Sequence, residues 1–249
     1  LLRAGLDAQA VDSVLAGSMA QSSFDAYMLP RHIGLYSGVP QQVPALAVQR
    51  ICATGFELLH QAARQLNEGV ELALCVGAES MSRNPIAAYT HRGGFRLGAA
   101  VEFKDFLWEA LYDPAPGLDM IATAENLAKR YGLSREAVDA FALNSHQQAL
   151  SAQASGWFED EIVTLRTEQF ELDGYQPRGI SLSRRCESVS RDSHPRSTDG
   201  VALARLAPIH VQGVQTAGNS CAVVDGAAAA LVARTSSLKR PALAHLLAS

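Results

Sequence analysis

The chain has 249 residues, 48% of them hydrophobic and 18% charged, with a formal net charge of −4. That content can bury a sizeable core in one large domain or two smaller ones, and it excludes the basic excess of a nucleic-acid binder and any charged tail. No apolar stretch nears the ~18 residues of a membrane span; even 227–233 is short and ends at Arg234. Cys52, Cys75, Cys186 and Cys221 show neither the paired spacing of a disulfide framework nor a zinc pattern. A reducing compartment, the cytoplasm, is therefore expected, and no metal site.

In chain order, residues 2–6 read as the end of a helix stopped by Gly5, and 11–17 as a strand entering a core. A helix over 24–36, broken near Pro30, leads into a loop bracketed by Gly38-Val39-Pro40 and Pro44. The apolar run 44–48 reads as a covered strand, and Phe56, Leu59, Ala63 and Leu66 then repeat at helical spacing until Asn67-Glu68-Gly69. Residues 72–77 form a continuous apolar run, a strand covered on both faces. Strand, helix, strand at this spacing predicts a layered α/β domain. Between 82 and 118 the pattern dissolves, with Gly93-Gly94 and Pro114-Ala115-Pro116-Gly117 as turn signals. Ser134 is an N-cap and Gly156 a stop for one long amphipathic helix. Residues 168–198 read as polar loop with at most short strands, and 227–233 as helix or strand.

Cys52 stands where the strand over 44–48 gives way to a helix, which places it in the first helical turn. Orphan N–H groups and the helix dipole there favour an anion, so the thiol pKa is expected to fall. Gly55 leaves room for a substrate to approach. On spacing alone the residue reads rather as a small buried hydrophobe. His60 lies eight residues on, roughly 12 Å along the axis, too far to act as its base.

The run Arg50-Ile51-Cys52-Ala53-Thr54-Gly55 is similar to the nucleophile motif of the thiolase family, and three more stretches follow in that family's order. Gly77-Ala78-Glu79-Ser80-Met81-Ser82 resembles its signature after the next strand. Thr123-Ala124-Glu125-Asn126, continued by Leu133-Ser134-Arg135-Glu136, resembles the helices of its loop domain. Thr216-Ala217-Gly218-Asn219-Ser220 and Asp225-Gly226-Ala227-Ala228-Ala229 resemble its last two elements. The likeness covers about the middle three-fifths of a family subunit.

That resemblance implies a thiolase-like layered α/β/α domain carrying an inserted loop domain. Residues 1–81 would be the first part of the N-terminal domain, 82–212 the loop domain with its coenzyme A lid and an assembly loop at 89–98, and 213–249 the return to the N-terminal domain and the start of a C-terminal domain, with 227–233 a strand. It implies acyl transfer between coenzyme A thioesters: two acyl-CoA molecules condensed, or a 3-ketoacyl-CoA cleaved by coenzyme A, through an acyl thioester on Cys52. No cofactor is implied beyond coenzyme A thioesters as substrates, and the partner is a second copy, in a homodimer or homotetramer. Met120 matches a pantetheine-contacting methionine and Ala217, Gly218 and Asn219 the loop beside the tail. Cys221 stands where serine commonly bonds the pantetheine, and Asp119 where some members have histidine. Arg196, like Arg184 and Arg185, suits the nucleotide phosphates, with a solvated loop arginine as the plain alternative. His194-Pro195 lacks the family's flanking glycines and order, so His194 is expected to be a solvated loop residue. The family's histidine and second cysteine belong to a C-terminal domain, so this stretch is expected to hold half an active site. A binding protein for acyl-CoA or a lipid carrier on the same fold is the rival reading; a ketoacyl synthase is disfavoured because Thr123-Ala124-Glu125-Asn126 is foreign to that branch.

Overall fold

Four strands form the main sheet, three of them parallel and the last in the chain antiparallel at one edge. The computed structural model describes residues 1, 3–20, 26–89, 92–237 and 241–247, in two compact units: 1–110 with 172–174 and 224–249, and 111–171 with 175–223.

In the first unit, β1 (Ser13–Gly17) is buried along its whole length. Helix α1 (Leu29–Tyr36), strand β2 (Ala45–Ala47), helix α2 (Thr54–Asn67) and strand β3 (Leu72–Ser80) follow. β2 and β3 flank β1 in parallel, while β12 (Asp225–Ala233) returns antiparallel on β3, from Asp225 opposite Ser80 to Ala233 opposite Leu72. Alternation along the strands sends side chains to opposite faces. Val14 and Leu74 join Val11, Val39 and Val43 in one cluster, against which Ile33 of α1 packs. Leu15, Ala73 and Cys75 join Leu58 and Ala62 of α2 in the other. The result is the expected helix, sheet, helix layering. Ser13 Oγ donates to Gln65 Oε1 (2.6 Å), tying β1 to α2, and the Arg234 guanidinium after β12 donates to the Leu66 carbonyl at the end of α2.

Several local expectations need correction. The described residues of 2–6 form a turn, with Gly5 at φ 60°, rather than a helix end; Leu2 lies outside the described residues. The helix expected over 24–36 is a 3-10 turn (Ala26–Met28) running into α1, and Pro30 does not break it. Pro30 sits in the first turn, where its missing N–H is no loss; Phe24 and Asp25 lie outside the described residues. β2 is a half-exposed edge rather than a covered strand. The buried stripe of α2 is Thr54, Leu58, Ala62 and Leu66, whereas Phe56 is 80% exposed. Residues 82–118 hold ordered pieces: β4 (Ile86–Ala87) pairs β5 (Lys104–Asp105), α3 (Phe106–Leu111) follows, and β6 (Tyr112–Asp113) pairs β7 (Leu118–Asp119). In the loop at 89–98, Thr90 and His91 lie outside the described residues.

The second unit is built on α4 (Met120–Tyr131) and α5 (Arg135–Ala154). Asp119 caps α4 through the Ala122 amide (2.7 Å), and Ser134 caps α5 through that of Ala137 (3.2 Å), as expected for Ser134. Gly156, at φ 75°, follows the last turn of α5. α5 is less amphipathic than its sequence suggests: Asp139 is its one fully buried residue. The polar stretch after it holds two antiparallel pairs, β8 (Leu165–Arg166) with β11 (Ser188–Val189) and β9 (Glu168–Phe170) with β10 (Arg178–Ile180). Helix α6 (Gly200–Ala204), unforeseen from sequence, starts where the Asp199 carboxylate accepts from the Ala202 amide (2.7 Å).

Candidate active site

Cys52 sits on a tight elbow between β2 and α2. It is exposed, not a buried hydrophobe, and it lies just outside the helix rather than in its first turn, since the helix begins at Thr54 with Ala53 as the N-cap. Ala53 offers no side-chain oxygen, and the amides of Gly55 and Phe56 have no acceptor among the described residues, so the helix start keeps donors for an anion. Around Gly55 the space is open: an added Cβ meets nothing within 4 Å. The residue before the thiol, Ile51, has φ 49°. A β-branched side chain there is a true outlier, and such strain costs on the order of 1–3 kcal/mol.

What holds the elbow is legible atom by atom. Thr54, 6% exposed, accepts from the Arg50 amide (2.8 Å) and donates to the Ile51 carbonyl (2.7 Å) through one hydroxyl. The Val48 amide donates to the Ala16 carbonyl (3.0 Å), and Gln49 Nε2 to the Met19 carbonyl (2.8 Å). Gly17 lets β1 approach so closely that a Cβ there would stand 2.2 Å from the Val48 oxygen and 2.4 Å from Thr54 Cγ2. Glu79, in the motif ending β3, accepts from the Met19 amide (2.5 Å), the Ala20 amide (3.3 Å) and Ser18 Oγ (3.1 Å). On the far side, Arg50 pairs with Glu57 (2.6 Å). A hydrogen bond from Gln61, and then Arg50, hold the Glu57 carboxyl below its ordinary range. A groove of about 480 Å³ runs there along Leu46 to Arg50, Glu57 and Gln61. His60 is half-buried on α2. Cys75 is buried inside the sheet, and burial pushes its thiol up to about 11.

The second unit collects most of the other expected residues on one loop. Asn219 Nδ2 donates to Asp139 Oδ1 (2.8 Å) and the Val214 carbonyl (2.9 Å), and its Oδ1 accepts from the Thr216 amide (2.8 Å). Its side chain thus shapes the loop from within. Glu125 accepts from the Val214 (3.0 Å) and Gln215 (2.8 Å) amides. Arg135 bridges Asp139 (2.8 Å) to the carbonyls of Leu203 (2.7 Å) and Leu206 (3.0 Å). A Cβ on Gly218 would stand 2.4 Å from Leu206 Cδ1 and 2.7 Å from Leu203 Cδ2, so any larger residue there displaces the ends of both leucines. Arg196 donates to the Ala217 carbonyl (3.3 Å), and together with Gly218, Thr198, Ala202, Leu203 and Leu206 these residues line a cavity of about 270 Å³. Met120 opens α4 and is half-exposed; Cys221 is exposed; neither lines that cavity. Arg184 and Arg185 are exposed on a turn.

His194 is not the solvated residue expected. It is half-buried, its ring tilted against that of His146 with centroids 5.7 Å apart. His146 Nδ1 accepts from the Arg196 amide (3.4 Å); burial first, then the charges of Arg196 and His194, push its pKa down. The Arg135–Asp139 pair, Glu125 as a loop clamp and Thr54 as an elbow staple had no motif of their own beyond membership in matched stretches.

Comparison with known proteins sets these sites in a family. The family model described as "Thiolase, N-terminal domain" matches residues 1–236. The human mitochondrial 3-ketoacyl-CoA thiolase is 35% identical over 235 residues, 93% of this chain and 56% of its own length. A Pseudomonas aeruginosa acetyl-CoA acetyltransferase is 34% identical over 252 residues, 99% of this chain and 61% of its own. The crystal structure of the human enzyme in complex with CoA superposes with a TM-score of 0.85 at 34% identity, over 96% of this chain and 57% of that one. The chain thus spans somewhat over half the length of these relatives. With its layered sheet, its cysteine elbow and these matches, the chain belongs to the thiolase family and corresponds to that family's N-terminal domain.

Proposed function

We propose that the protein takes part in thiolase-type acyl transfer, with Cys52 as the nucleophile. One observation carries this: in a chain of this family, an exposed cysteine stands on a strained elbow just ahead of a helix whose Gly55 and Phe56 amides lack acceptors among the described residues. In the first half-reaction the Cys52 thiolate attacks the thioester carbonyl of an acyl-CoA. The new sulfur–carbon bond forms, the bond to the coenzyme A sulfur breaks, and coenzyme A leaves as a thiolate that takes up a proton. In condensation the acyl group then passes to the carbanion of a second acyl-CoA. In cleavage the thiolate instead attacks the 3-keto carbonyl of a 3-ketoacyl-CoA, the bond between its α- and β-carbons breaks, the departing acyl-CoA carbanion takes up a proton, and the acyl group passes from Cys52 to coenzyme A. Free amides at the helix start suit the oxyanion that develops between attack and collapse.

Met120, Ala217, Gly218, Asn219, Cys221 and Arg196 are the proposed coenzyme A contacts, Asn219 through its backbone because its side chain is engaged internally. The half-exposed outer edge of β2 supports pairing with a second copy, as a homodimer or homotetramer, since an open strand edge invites a partner; light scattering showing only monomer at micromolar concentration refutes it. Four free thiols support a reducing compartment, the cytoplasm, and among the described residues no helix is long and apolar enough to cross a membrane. The test of function is intact mass and peptide mapping after mixing with acetyl-CoA. One acyl group should appear on the peptide holding Cys52, with coenzyme A released in equal amount, and neither should occur in Cys52→Ala. Acylation at Cys186 or Cys221 instead, or none at all, overturns the assignment.

A further inference from the structure

We infer that Thr54 is a positioning residue for Cys52, its hydroxyl holding the Ile51 peptide in the left-handed geometry that sets where the sulfur stands. The inference rests on the acyl-transfer reading and adds to it a residue that touches no substrate. Three observations meet at this side chain. The hydroxyl makes two bonds to the two residues that flank the bend, the Arg50 amide and the Ile51 carbonyl. The second of these, Ile51, directly precedes the thiol and occupies φ 49°, a conformation its branched side chain opposes. The methyl of Thr54 abuts Gly17, where only a missing Cβ leaves room, so the staple is itself anchored to the buried end of β1. A strained backbone persists only where its surroundings over-determine it; here two backbone bonds close the bend, from the Ala53 amide to the Arg50 carbonyl (3.0 Å) and from the Thr54 amide to the Ile51 carbonyl (3.1 Å), and the one side chain that adds both a donor and an acceptor to them is Thr54. Serine keeps both bonds. Valine keeps the shape and loses both.

The experiment measures the rate of Cys52 acylation by acetyl-CoA in the full chain, beside alkylation of the same thiol by iodoacetamide, which needs no docked substrate. Thr54→Val should slow acylation by about 10²-fold, the effect of a misplacement of about 1 Å, while iodoacetamide reacts at close to the parent rate. Thr54→Ser should acylate nearly as fast as the parent. Glycine accepts φ 49° without strain, so in an Ile51→Gly background the further loss on Thr54→Val should shrink about tenfold. Parent-like acylation in Thr54→Val overturns the inference, as does a loss in Thr54→Ser equal to that in valine, or an undiminished loss in the Ile51→Gly background. If Thr54→Val does not fold, the comparison of Ile51→Gly with its Thr54→Val double variant decides alone. Failure of the unaltered chain to acylate Cys52 would instead count against the acyl-transfer reading itself.

Discussion

Replacing Gly17 with alanine puts a methyl carbon 2.2 Å from the Val48 carbonyl oxygen and 2.4 Å from Thr54 Cγ2. An ordinary carbon–oxygen contact is about 3.3 Å, so β1 and the elbow must part by about 1 Å. Neither neighbour can yield cheaply: one is backbone, and the other belongs to a side chain fixed by two hydrogen bonds. Overpacking of this kind costs about 1–3 kcal/mol. Parting also stretches the bond from the Val48 amide to the Ala16 carbonyl, about 1 kcal/mol more. A total of about 2–4 kcal/mol is a large share of the roughly 5–15 kcal/mol that holds a domain folded. At an m-value near 2 kcal/mol/M it lowers the urea midpoint by about 1–2 M. The chain has two tryptophans, Trp108 in the first unit and Trp157 in the second. Trp157→Phe therefore leaves a fluorescence probe for the unit under test. Gly77→Ala is the control, because a Cβ at that strand glycine meets nothing within 4 Å, and its midpoint should hold or rise. Equal midpoints for the two alanine variants would refute the close-approach argument.

Among the four thiols, Cys52 should be labelled first by limiting iodoacetamide, and acyl-CoA should protect it; earlier labelling of Cys186 or Cys221 counts against its role. Cys75 should stay unlabelled until the sheet unfolds, and its folded pKa of about 11 lies above the ordinary 9.0. The unfolded chain therefore sheds this proton first, and the stabilisation present below pH 9 should drain away as pH climbs to about 11; a Cys75→Ala chain with the same alkaline slope contradicts this. Asp139→Ala strands Arg135 and releases the Asn219 amide. Breaking so buried a pair should cost about 3 kcal/mol, read by Trp157 fluorescence in a Trp108→Phe background. It should also weaken coenzyme A binding by calorimetry. Asp139→Asn, which keeps an acceptor for Asn219, should lose less, and parity between the two variants would deny that acceptor a role.

The sequence by itself determined those features whose physics is local. Apolar runs of strand length became β1 and β3, Ser134 and Gly156 bound α5 through bonds within a few residues, and Cys52 fell at a strand-to-helix junction. Four ordered motifs also named the family, because each preserves a whole local geometry. Tertiary structure decided what depends on residues far apart in the chain. Periodicity on α2 allowed two overlapping stripes, and only the sheet beneath selected Leu58 and Ala62 over Phe56. Pro30 reads as a breaker until the helix start is known to lie just before it. Gly17 meets Val48 and Thr54 across more than thirty residues, and Asp139 reaches Asn219 across eighty; no window along the chain contains such pairs. The strain at Ile51 is equally silent in sequence, since an isoleucine gains nothing locally from a left-handed backbone. Only the packing of β1 against the elbow, with the Thr54 hydroxyl between, makes that conformation the lowest available.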